Sequence, residues 1–238
     1  MISRTLYWQA ISMSIENLVT VKRSQRARRV ALRLDPRERT VNLVVPSRMS
    51  LEKAFYFAKT HEKWVREALG NLEPTVSFKN GIVLPIFGKN VTLRIIKDKT
   101  LKKTSIMRTP RMLIVYTYQD DPTNRITTYL KKVAREGLAD IAEEKAMIIR
   151  RRIASVTVRD TKSRWGSCAH DRSLSFSWRL IFAPPAAIDY VVAHEVSHLI
   201  HMDHGENFWK LCEALSDNFD KGKNWMHDHG NELMRYGG

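Results

Sequence analysis

The chain has 238 residues, enough for one large domain or two small ones, and 43% of them are hydrophobic, an ordinary share for a globular core. No apolar run approaches the roughly 18 residues of a membrane-spanning helix, and residues 1–14 are too interrupted by polar groups for a signal peptide, so no membrane partner is expected. Two cysteines, Cys168 and Cys212, exclude a disulfide framework and suit a reduced, cytoplasmic protein, while a net charge of +15 predicts attraction to anions such as nucleic acid or nucleotides.

In chain order, residues 1–14 read as a dispensable extension, with Met13 an alternative start. Strands are expected from about Ile15 to Val45, ending in a hairpin in which 28–34 and 40–45 flank the polar turn Asp35-Pro36-Arg37-Glu38-Arg39. Arg23, Arg26, Arg28 and Arg29 make this stretch the candidate polyanion-binding surface. Ser50 is placed to cap a helix whose apolar stripe runs from Leu51 through Ala54, Ala58, Trp64 and Val65 to Leu69, with Gly70-Asn71 as its stop. Residues 78–118 are again strand-rich, clearest at 91–96 and 112–116, with turns at Asn80-Gly81 and Gly88-Lys89-Asn90.

The cluster Asp120-Asp121-Pro122-Thr123-Asn124 predicts a domain boundary, giving a sheet-rich basic region over 15–121 and a second domain over 122–238. Apolar positions at helical intervals from Arg125 to Arg152 predict one long helix. Strands follow at 155–160 and 174–180, around Trp165-Gly166-Ser167-Cys168. Arg164 and Arg179 are the cations here that suit substrate or oxyanion contacts. Cys168 is read as a structural thiol, and no Gly-rich phosphate loop is present.

Pro184-Pro185 opens an apolar helix that runs into His194-Glu195-Val196-Ser197-His198. Histidines four apart on a helix are turned about 40° from each other and sit roughly 6 Å apart along its axis, so both imidazoles face one point. That arrangement suits zinc, with Glu195 as general base for a metal-activated water. A catalytic zinc usually takes three protein ligands. His204 is the preferred third donor, provided that the chain reverses after His201, which Asp203 and Gly205 would permit. His201, Glu206 and Glu213 are the other candidates. A short amphipathic helix over 206–215 would hold His204 at its start, and the tail adds His227 and His229.

Four motifs in order carry a family resemblance: Ser163-Arg164-Trp165-Gly166-Ser167-Cys168, Trp178-Arg179-Leu180, residues 188–195 (IDYVVAHE), and Asp203-His204-Gly205 with Phe208-Trp209. With the early 23–29 stretch and His61-Glu62-Lys63-Trp64, the chain resembles the YgjP-like (DUF45) metallopeptidase domains, relatives of SprT-like and WLM zincins. The resemblance implies an α+β fold, a sheet-rich N-terminal region followed by a zincin-like helical core with a small sheet. It also implies Zn2+ held by His194, His198 and His204, Glu195 as base, and a polypeptide substrate. The chain departs from the family pattern at Asp203, Gly205 and Ser177. Beside this zinc hydrolase reading stand a metal-dependent nucleotide or phosphoester hydrolase, and a nucleic-acid-associated protein with a structural zinc.

Overall fold

The computed structural model describes residues 13–162 and 164–237, so most of the 1–14 extension lies outside the described residues. The fold is α+β, with sheets first and a long helix and shorter helices after them. Two compact units divide at Thr75/Val76, and each has its own core.

In the first unit a short helix α1 (Ile15–Leu18) leads into β1 (Val19–Ser24), β2 (Ala31–Asp35) and β3 (Thr40–Pro46). The expected hairpin forms: β2 pairs antiparallel with β3 from Ala31↔Val44 to Asp35↔Thr40, and β1 joins β3 in parallel. Asp35 Oδ1 accepts the Glu38 backbone N–H at 3.1 Å, which fixes the turn. Ser50 caps the next helix by accepting the Lys53 N–H. The single helix expected over 51–69 is instead two, α2 (Leu51–Thr60) and α3 (Glu62–Gly70). The break has a local cause. The Thr60 hydroxyl and His61 Nδ1 both bond Phe57 O, taking up the carbonyl that an unbroken helix gives to the His61 N–H. Ala54, Ala58 and Val65 are buried against Val41, Leu43 and Val45, whereas Leu51 and Trp64 are exposed.

The second unit begins with β4 (Val83–Ile86), β5 (Lys89–Lys97), β6 (Ser105–Arg108) and β7 (Met112–Thr117), in the order β4-β5-β7-β6. The helix α4 (Thr123–Ile148) follows, started by Asp121 Oδ1 accepting the Thr123 N–H at 2.9 Å. The ring of Phe87, from the β4–β5 turn, fills the space a side chain at Gly137 would need, since a Cβ there would meet Phe87 Cζ at 2.5 Å. The turn cluster at 120–124 suggests a boundary at 121/122, but the compact unit starts earlier. Val91, Leu93, Leu113 and Val115 share one core with Ile126, Leu130 and Val192 of the later helices.

A second sheet, ordered β8-β10-β9, is built from β8 (Ser155–Arg159), β9 (Gly166–Cys168) and β10 (Ser173–Ser177). The strand expected over 174–180 stops at Ser177, and Trp178–Phe182 form a fully buried 3-10 turn. The helices α5 (Pro185–Ser197), α6 (Glu206–Ala214) and α7 (Phe219–His229) complete the unit. Pro185 opens α5 as expected, and α5 packs on α4, α6, α7 and β9. No helix among the described residues is long and apolar enough to cross a membrane.

Candidate metal centre

Helix α5 carries the site because its other faces are apolar and buried: Ile188, Val191, Val192, Ala193 and Val196 all lie in the core. Its depth is fixed by an ion pair among apolar neighbours. Lys145 of α4 reaches Asp189 Oδ1 at 2.5 Å and donates also to Leu215 O, while Asp189 Oδ2 accepts from the Ser216 hydroxyl at 2.6 Å and the Asp217 N–H at 3.1 Å. One carboxylate thereby ties α4, α5 and the end of α6 together. The sequence reading assigned no role to either member of this pair.

After α5 the chain reverses as the third-donor argument requires, though by different means. Gly205 is extended, a conformation open to any residue, and Asp203 Oδ1 accepts the Gly205 N–H at 2.8 Å to form the turn. His194, His198 and His204 are brought together, with one ring nitrogen of each lying within 4.8 Å of the others. The Nε2 atoms of His194 and His204 stand 3.1 Å apart. Two nitrogens on one tetrahedral zinc are separated by about 3.3 Å, given Zn–N distances of about 2.0–2.1 Å. His198 Nδ1 donates to His201 O at 2.9 Å, which leaves its Nε2 free to coordinate. His201 therefore contributes its carbonyl to the site, and its ring lies outside the triad. Glu206 pairs with Lys210 at 2.6 Å. Phe208, fully buried, touches all three imidazoles with ring centroids 4.6–4.9 Å away.

These residues fit a metal. His194 Nδ1 is buried without a hydrogen-bond partner, and burial, then His198 and His204, push the ring's pKa down to about 4, so it is a neutral donor at physiological pH. Burial likewise lowers that of His198. A set of three imidazole donors suits a transition-metal dication such as zinc better than calcium or magnesium, which prefer oxygen.

Glu195 is 5% exposed, and burial pushes its carboxyl up to about 8 against the opposing charge of Arg164. It lies under Gly166 of β9, where a Cβ would meet Glu195 Cγ at 2.5 Å. Neither this contact nor the cleft beside it can be read from local residue patterns, since both depend on segments far apart in the chain. That cleft, about 640 Å³, is lined by Arg164, Trp165 and Gly166, by Tyr190, Val191, His194 and Glu195 of α5, and by Lys223, Asn224, Met226 and His227 of α7.

Several predicted site residues fall elsewhere. Arg179 does not line the cleft. It is 1% exposed, pairs with Asp160, donates to Tyr236 O at 2.9 Å and stacks on Trp178, so it is a core ion pair and not a substrate contact. Arg23, Arg26, Arg28 and Arg29 are all exposed, and Arg23 Nη1 also donates to the carbonyls of Pro46, Ser47 and Met49, which makes it a loop clamp. Cys168 and Cys212 are free thiols raised by burial to about 11 and about 12, which fits inert packing. His229 pairs with Glu232.

An α+β unit whose buried helix presents two histidines one turn apart, a carboxylate between them and a third histidine returning from the next loop defines a candidate mononuclear metal-site protein. The family model described as YgjP-like, metallopeptidase domain, matches residues 28–229, and the chain belongs to that family of metal-dependent peptidases. No curated protein and no solved structure matches the chain significantly.

Proposed function

We propose that the protein is a zinc-dependent peptidase in which His194, His198 and His204 hold the ion and Glu195 is the general base. The observation that carries this reading is the convergence of three imidazole nitrogens within 4.8 Å, beside a buried carboxylate, in a member of a metallopeptidase family. When bound, zinc supplies Lewis acidity to a water and to the substrate carbonyl.

The chain's own residues do the rest. Glu195 takes the proton of the attacking water on a carboxylate oxygen and returns it to the leaving nitrogen; burial raises its affinity for that proton, while a cation at the neighbouring histidines would favour the ionised form that a base needs. Gly166 keeps that carboxylate in place and lies on β9, an edge strand, so an extended peptide adding to this edge passes Glu195. Tyr190, one turn before His194, lines the cleft; with its pKa raised to about 12 by burial it keeps its proton and can donate to the developing oxyanion. A reducing, cytoplasmic setting fits the two free thiols. Phosphoester hydrolysis at the same centre is the second reading, favoured by Arg164 and Lys223 in the cleft, but the family description favours peptide bonds.

The test is elemental analysis with parallel turnover. Wild type should carry about one zinc per chain and His204→Ala much less. Glu195→Gln should keep the metal and lose about 10²–10⁴ in kcat. Full activity in Glu195→Gln, on peptide or nucleotide, would remove the base from the mechanism.

A further inference from the structure

We propose that the cleft beside Glu195 is a subsite for a carboxylate of the peptide substrate, supplied by an acidic side chain or by the chain's C-terminus and held between Arg164 and Lys223. The proposal rests on the metallopeptidase reading of the site and adds the substrate class.

Among the described residues lining the cleft, Glu195 is the sole acid, against Arg164 on one wall and Lys223 on another. Neither cation is in a salt bridge among the described residues, although the charge of Arg164 acts on the Glu195 carboxyl. Lys223 is nonetheless held in place: its ammonium lies 4.9 Å from the Trp209 ring centroid and 5.3 Å from that of Phe219. The Trp209 ring in turn is 5.8 Å from the rings of both His194 and His204, so one aromatic ring contacts both Lys223 and the triad. His227 adds no net demand for an anion, because its Nδ1 already faces Asp228 at 2.8 Å.

What lies between the cations decides the kind of anion. Trp165, Val191 and Met226 are apolar. Two separated cations over apolar walls match a single charged group on an otherwise uncharged chain, such as a peptide carboxylate. A polyphosphate would bring more negative charge than these two cations offset, leaving the excess beside Glu195 with only neutral donors such as Tyr190 and Asn224, which is costly. The guanidinium of Arg164 accepts a carboxylate in bidentate fashion, and Lys223 adds a point charge.

The experiment uses the full-length, zinc-loaded Glu195→Gln variant, so binding is read without turnover. Fluorescence anisotropy compares end-blocked peptides identical except for one Glu, Gln or Lys, together with a neutral peptide bearing a free C-terminus. The Glu peptide or the free-C-terminus peptide should bind about tenfold tighter than the blocked Gln peptide, as a charge-assisted hydrogen bond implies. Whichever of the two shows the preference identifies the source of the carboxylate. The preference should shrink in 0.5 M salt, because both cations are exposed. It should fall to within about twofold in Arg164→Gln/Lys223→Gln on the same background, whose melting temperature verifies the fold. Equal binding of all blocked and unblocked peptides, or a preference that survives the double substitution, overturns the proposal; so does displacement of the bound Glu peptide by ATP at concentrations well below those at which unlabelled Glu peptide competes. Wild-type turnover separates the two readings. Cleavage of the Gln peptide without charge preference leaves the peptidase standing and removes the subsite, whereas charge-selective binding with no cleavage of any peptide does the reverse.

Discussion

Replacing Gly166 with Ala tests whether Glu195 must sit where β9 holds it. The new methyl would lie 2.5 Å from Glu195 Cγ and 2.7 Å from Cδ, against the roughly 3.5–4.0 Å at which carbon atoms normally rest. About 1 Å must therefore be found. The helix cannot supply it, because Val192, Ala193 and Val196 beside Glu195 are fully buried in the core. The carboxylate must swing instead, and a misplacement of about 1 Å at a reacting group costs about 10²-fold in rate. Overpacking adds about 1–3 kcal/mol of destabilisation. The three histidines are untouched, so metal content should stay near wild type. Turnover of a peptide substrate, zinc per chain and a thermal melt, measured on one preparation, read all three. A folded Gly166→Ala protein that keeps its zinc and works within about threefold of wild type would refute the argument that this contact positions the base.

Two further outcomes follow from the buried charges. Asp189→Asn strips Lys145 of its partner while the side chain stays 9% exposed, and should cost about 3–5 kcal/mol, seen as a melting temperature lower by about 10 °C; a loss under about 1 kcal/mol would mean the pair does not set the seat of α5. In chelator-treated protein, Glu195 has a folded pKa near 8 against its ordinary 4.5, so the folded state binds more protons between those values and this group's contribution to stability falls as pH rises. The buried histidines, whose pKa is lowered, work the other way near pH 6.5 but are common to both proteins, so wild type should lose melting temperature relative to Glu195→Gln between pH 6.5 and 8, and an unchanged difference would refute the shift.

The histidine triad was legible because its spacing is short-range: eleven residues span it, and helix geometry with one reversal is enough to converge the rings. Pro185, the Ser50 cap and the Asp35 turn were legible for the same reason. The cleft was not, since its walls come from 164–166, 190–195 and 223–227, and only the packed fold brings these together. Arg179 shows the limit most directly. A cation beside the aromatic Trp178 reads as a ligand contact until its partner Asp160, nineteen residues earlier, is seen against it. The helix break at His61 depended on side-chain competition for one carbonyl, which propensity and period do not register.

The chemistry of the site and the stability of the fold draw on the same helix in opposite directions. Burying Glu195 and leaving His194 Nδ1 without a partner both disfavour the metal-free fold, since each polar group has exchanged water for an apolar setting. A metal bound at the three histidines reverses part of that, because a dication lowers the proton affinity of the neighbouring carboxylate and binds only the folded triad. The Asp189 network then has a definite purpose. It holds α5 to α4 and α6 by groups that are all satisfied within the protein, one turn and a half from His194, so the helix keeps its seat whether or not the metal is there. On this view the metal should add stability through the histidines alone, and the gain in melting temperature on adding zinc should be as large in Asp189→Asn as in wild type, though both start lower in the variant. A gain abolished by that substitution would show instead that the seat of α5 and the triad form one cooperative unit.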